Sequence, residues 1–111
     1  MADSLIDLER HRRERGLILE LLSQAGAAQV AFTSLWRMMD ARNQTLAQES
    51  LKFHLVIYLE PQGYVSLIRA RDLKGWEDRR EAPDAVISVK LLPKGIQLLN
   101  RAIEDSEVVI S

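Results

Sequence analysis

Two histidines, His11 and His54, are the first residues to test for chemistry. A metal centre needs three or four ligands converging on one ion. No His-x3-His or His-x3-Glu spacing stands around either residue, so neither a metal nor any other cofactor is expected. Ser50 and His54 lie four apart, a nucleophile and a base on one helical face. No nucleophile elbow and no third orienting group accompanies them, so they form no triad. The glycines are scattered and match neither phosphate-loop pattern. Cysteine is absent, which removes disulfides, thiolate chemistry and Cys-ligated zinc. The expectation is a binding protein, not an enzyme.

Charge then decides what could be bound. Charged residues make up 28% of the chain with both signs interleaved, and the net charge is −1. Contact with a polyanion must therefore come from a local patch. One candidate is Arg10, Arg12, Arg13 and Arg15, which reads as a nucleic-acid arm or, preferably, as a solvated helix face paired with Glu9 and Glu14. The other is Arg69, Arg71, Lys74, Arg79 and Arg80, interleaved with Asp72, Glu77, Asp78, Glu81 and Asp84. That run reads equally as a phosphate-contacting loop or a solvated one. Trp76 stands within it, as an anchor for a partner or folded back on its own domain.

The elements that must hold these residues follow from periodicity. At 111 residues and 47% hydrophobic, the chain suits one small domain with one core. Leu5, Leu8, Leu17, Ile18, Leu21 and Leu22 predict a first helix, with Gly16 as a possible break. Leu35, Met38 and Met39 predict a second, capped by Thr33 or Ser34, with Val30 and Phe32 as a brief strand or staple before it. Thr45 and Gln48 form a capping-box pattern ahead of Leu51, Leu55 and Leu59, which predicts a third helix with those leucines inward. Phe53 to Leu59 is rich in β-formers, so a strand is the competing reading there. Phe53 and Ile57 occupy the segment's second face. Residues 64–70 and 85–91 predict a two-stranded hairpin across the loop 74–84. Pro93 opens a last helix with Ile96, Leu99 and Ile103 on one face. The division is an N-terminal helical extension (1–15), a core domain (16–106) and a short tail (107–111).

Two strings carry a resemblance. Leu59-Glu60-Pro61-Gln62-Gly63-Tyr64-Val65 looks like the exit from a recognition helix into a wing, and Leu92-Pro93-Lys94-Gly95-Ile96-Gln97-Leu98-Leu99 looks like the entry to a closing helix. With the order helix, helix, helix, hairpin, helix, the chain resembles the winged helix-turn-helix superfamily over about residues 15–105, and more loosely the small winged-helix proteins of Mu-like phages. Leu92 departs from the pattern, since a capping Thr or Ser is usual before that proline.

The resemblance implies a mainly α fold with a small antiparallel hairpin, and duplex DNA as the partner of a transcriptional regulator. The third helix would enter the major groove and the hairpin would lie on the backbone. The implied contacts are Thr45, Gln48 and Lys52 on the helix, with Glu49 beside them, and Arg69, Arg71, Lys74, Arg79 and Arg80 on the wing. The alternative is a protein-interaction module that keeps the scaffold without binding DNA. A homodimer is expected, from apolar residues at both termini and on the third segment's second face. No apolar run approaches the roughly 20 residues of a membrane span. The N-terminus lacks the cationic start and apolar stretch of a signal peptide, so no membrane and a cytoplasmic location are expected.

Overall fold

The computed structural model describes residues 2–26, 28–42 and 46–110, with side chains from Asp7 onward inside the first helix. Helix α1 spans Ala2–Ser23, strand β1 Val30–Ala31 and helix α2 Phe32–Ala41. Helix α3, Gln48–Phe53, continues without a break into a π-helical segment, His54–Leu59. Strands β2 (Val65–Arg69) and β3 (Val86–Leu91) follow, then helix α4 (Pro93–Leu99). The fold is α+β: four α-helices and one antiparallel sheet among the described residues. The expected hairpin gains a third strand, because β1 pairs with β3 through Val30 and Val89. The order is therefore β1-β3-β2, with β3 central. Val65 faces Leu91 and Leu67 faces Val89, so alternate β2 and β3 side chains reach one core. No helix among the described residues is long and apolar enough to cross a membrane.

The core gathers Ile18, Leu19, Leu21 and Leu22 of α1, Leu35 and Met39 of α2, Leu51, Leu55 and Leu59 of the third helical segment, and Val65, Val89 and Leu91 of the sheet. The third segment is helical as predicted, with its three leucines inward. The strict four-residue repeat has a geometric reason. On an α-helix, residues four apart drift by about 40° per step. The i→i+5 bonds of the π segment, such as Glu60 N–H to the Leu55 carbonyl at 2.9 Å, rotate the chain less per residue and cancel that drift.

Several local expectations are corrected. The third helix begins at Gln48 behind Ala47, which makes no side-chain cap bond, so the N-cap falls two residues later than the predicted capping box placed it. Thr45 itself lies outside the described residues. Helix α2 begins at Phe32 behind Ala31, before either proposed cap. The segment entering α3 is instead held by Trp36, whose Nε1–H donates to the Leu46 carbonyl at 2.7 Å. Helix α4 ends at Leu99 and buries Leu98 and Gly95, while Ile96 is exposed and Ile103 falls beyond the helix. Of the predicted stripe, Leu99 and Ile103 are half-buried against the core and only Ile96 turns out, while Gly95 faces inward: a methyl group there would lie 2.6 Å from the Tyr64 carbonyl oxygen. Lys94 next to it donates to the Gln62 carbonyl at 2.7 Å, so the two sequence strings around Gly63 and Pro93 pack on each other.

Helix α1 does not break at Gly16. The C-terminal segment crosses it there, with the Val109 N–H donating to the Arg12 carbonyl at 3.0 Å. Val108 is buried, and Glu107 accepts from the guanidinium groups of Arg12 and Arg15. The tail is thus docked along α1, and its apolar residues are partly consumed within the chain.

Candidate interaction face and buried polar cluster

The third helical segment has two unlike sides. Its inner line is Leu51, Leu55 and Leu59, each fully buried. Its outer line carries Phe53 and Ile57, which are 49% and 58% exposed. At these values both side chains stand open to solvent. Leu8 on α1 is likewise exposed, one helical turn before His11. The His11 ring meets the His54 ring edge-on at 5.1 Å, and Phe53 meets His54 at 6.2 Å. These ring contacts link α1 to the third helical segment.

The predicted DNA contacts are dispersed and partly neutralised. Gln48 is exposed at the start of α3, with Glu49 beside it. Lys52 pairs with Asp84 at 3.4 Å. Arg69 makes a bidentate pair with Glu60 at 2.9 and 2.6 Å, and Arg79 makes one with Glu81 at 3.1 and 2.7 Å. Arg71, Lys74 and Arg80 are exposed and have no ion-pair partner among the described residues. Trp76 is half-buried in a short 3-10 turn of the same loop. The α1 arginines divide between neighbours and the tail. Arg10 pairs with Asp7 and Arg13 with Glu9, while Arg12 and Arg15 hold Glu107. That is the solvated-face reading for two of them and an internal clasp for the other two.

Compared with protein-family models, curated proteins and solved structures, the chain matches none.

Beneath the apolar face lies a polar cluster that the sequence spacing did not reveal. His11, Glu14 and His54 each offer a ligand-type atom within 4.8 Å of the other two. His11 and Glu14 are three apart on α1 and share a side of it. His54 reaches them from the π segment. Its Nε2 lies 3.3 Å from Glu14 Oε1, and both side chains are buried. His54 Nδ1 is buried with no hydrogen-bond partner. Burial pushes the Glu14 carboxyl up, against the opposing charges of His11, Arg10 and Arg15. Burial, then the charges of Arg15 and His11, push the His54 imidazole down to about 4. The only hint in sequence was a histidine set in an otherwise apolar helix; its partners come from a helix 40 residues away.

A second polar cluster ties the tail to the core. The Tyr58 and Tyr64 hydroxyls both donate to Asp105, at 2.6 Å to Oδ2 in each case, and the Glu107 N–H donates to Oδ1 at 2.9 Å. Arg15 lies over the Tyr58 ring at 4.3 Å. Burial raises both tyrosine hydroxyls, and their hydrogen bonds to Asp105 raise them further. Burial acts to raise Asp105 as well, but the two hydroxyls, the Glu107 N–H and Arg15 outweigh it and hold the carboxyl low. A carboxyl depressed by folding adds stability above its unfolded value, near 3.9, and loses it as pH falls through the folded value. Asp105→Asn should therefore cost about 1 kcal/mol at neutral pH, the difference between charged and neutral acceptors. Urea midpoints of the two proteins should converge on acidification below about pH 4. A gap that stays constant down to acid unfolding would remove Asp105 from this role.

Proposed function

We propose that the chain is a winged-helix domain that works by protein association, pairing with a second copy of itself through the face of Leu8, Phe53 and Ile57. The order helix, strand, helix, helix, strand, strand supports the winged-helix reading, with a three-stranded sheet and a long loop between the last two strands. The observation that carries the functional reading is the exposure of Phe53 and Ile57 on the helix that would enter a DNA groove. A groove offers polar base edges and phosphates, with thymine methyls the only apolar contact. Two large apolar side chains fit a dry partner surface better. Acidic and basic residues flank both parts of the face, Glu9 and Arg13 beside Leu8 and Glu49 and Lys52 beside Phe53. Mixed charge of this kind suits an isologous contact, where each patch meets its own copy.

A dilution series in sedimentation tests the reading. The wild type should be dimeric at high concentration, and the Phe53→Ser, Ile57→Ser double variant should remain monomeric. A wild type that stays monomeric at high concentration ends the proposal. Duplex DNA binding is the second reading, carried by Arg71, Lys74 and Arg80, loop cations with no ion-pair partner among the described residues. It predicts binding to mixed duplex at low salt that weakens steeply with added salt, and a flatter dependence when these three become Ala.

A further inference from the structure

We infer that His11, Glu14 and His54 form a three-ligand site for a divalent transition-metal ion of the zinc type. Two imidazoles and one carboxylate are a donor set that such ions accept, as are the nitrogen and oxygen atoms they present. Ligands at about 2.1 Å in tetrahedral array stand roughly 3.4 Å apart. The three donor atoms already lie within 4.8 Å of one another, and the Glu14 to His54 pair stands at 3.3 Å. His11, the most exposed of the three, is the ligand whose side chain would turn to close the remaining distance. A fourth position is left for water.

The second observation is how deeply two of the three donors are buried. His54 is 1% exposed and its Nδ1 has no partner, while Glu14 is 4% exposed. Buried titratable side chains ordinarily have a specific partner, and here Glu14 and His54 have each other. The nitrogen that faces the carboxylate is Nε2, so a buried imidazole and a buried carboxylate already present donor atoms to the same point, as a ligand set requires. The backbone agrees. The π-helical turn begins at His54, so the departure from α-geometry starts at the proposed ligand. Such turns recur at functional sites. The ion would pin α1 to the third helical segment beside Phe53, whose ring meets His54. The inference does not depend on the association proposed above, since it concerns groups inside a single chain.

Untagged full-length protein, stripped with chelator, is titrated with Co2+ and with Zn2+. Co2+ should give the ligand-field absorption of a low-coordinate site, saturating at one ion per chain, and Zn2+ should displace it. Zn2+ at a hundred times its Kd should raise Tm by on the order of 10 °C. Glu14→Gln keeps a neutral hydrogen-bonding group against His54, and His11→Ala alters a partly exposed position, so both should fold. Each should weaken the metal by on the order of 100-fold or more, beyond the loss typical of an outer partner. Folding is checked by the far-UV spectrum and a cooperative unfolding transition without metal. Absence of a saturable Co2+ band in the wild type overturns the inference. So does undiminished binding by folded His11→Ala and Glu14→Gln proteins, which would place the ion elsewhere.

Discussion

Leu55→Ala is expected to lower the unfolding free energy by about 2–5 kcal/mol, the range for truncating a leucine in a packed core. Leu55 is fully buried on the inner line with Leu51 and Leu59, in a segment that packs on α1 and β2. It also sits in the π segment, where its carbonyl accepts from the Glu60 N–H. The surrounding backbone is committed to an unusual turn, so it has little freedom to collapse into the space left by the lost isobutyl group. In urea the midpoint should fall by about 1–3 M with little change in slope. The contrast is Ile57→Ala, two residues on but 58% exposed. If the outer face pairs two copies, the Ile57→Ala effect should shrink on dilution, while the Leu55→Ala effect should not. An unchanged midpoint for Leu55→Ala would mean that the inner line of the segment has been misassigned.

That segment also shows what could be read from the sequence. Leucines at exact four-residue spacing announced a helix against the strand propensity of Val56 and Ile57, because burial of a continuous line outweighs local preference. The hairpin strands were legible from their alternation and the turns around them. The helix starts were less so. Thr33, Ser34 and Thr45 are the residues that usually cap, yet the chain starts α2 and α3 behind Ala31 and Ala47. Tertiary anchors such as the Trp36 to Leu46 bond fix the entry instead, and a capping motif cannot foresee them.

The candidate sites were partly visible. Phe53 and Ile57 stood out as a second apolar face, and they remain the open surface of the third helix. The loop cations were visible too, but not their partners. Glu60 lies nine residues before Arg69 and on a different element, so no charge pattern along the chain showed the bidentate pair. The cluster of His11, Glu14 and His54 was invisible for the same reason. Two of its members share a helix turn, but the third arrives only when α1 packs on the π segment. A charged residue's availability is a tertiary property, and here it separates Arg71, Lys74 and Arg80 from their neighbours.

Gly16→Ala is expected to destabilise the protein by about 1–3 kcal/mol, although helix propensity alone argues the opposite sign. A glycine inside a helix costs about 0.5–1 kcal/mol relative to alanine, so the exchange in an uncrowded helix should stabilise. Here the added methyl would overlap the Val109 carbonyl where the tail crosses α1. The chain can absorb the clash by distorting the crossing, at the cost usual for overpacking. It can instead release residues 107–110, which exposes Val108 and leaves Arg12 and Arg15 without Glu107. The cheaper route sets the loss. Hydrogen exchange separates them, because release strips protection from the Val109 amide that donates to the Arg12 carbonyl. Removing residues 107–111 supplies the decisive comparison. In the shortened chain nothing crosses Gly16, and the alanine should now raise the urea midpoint. If Gly16→Ala is stabilising in the full chain as well, the tail does not press on α1 at Gly16 and this account of the glycine fails.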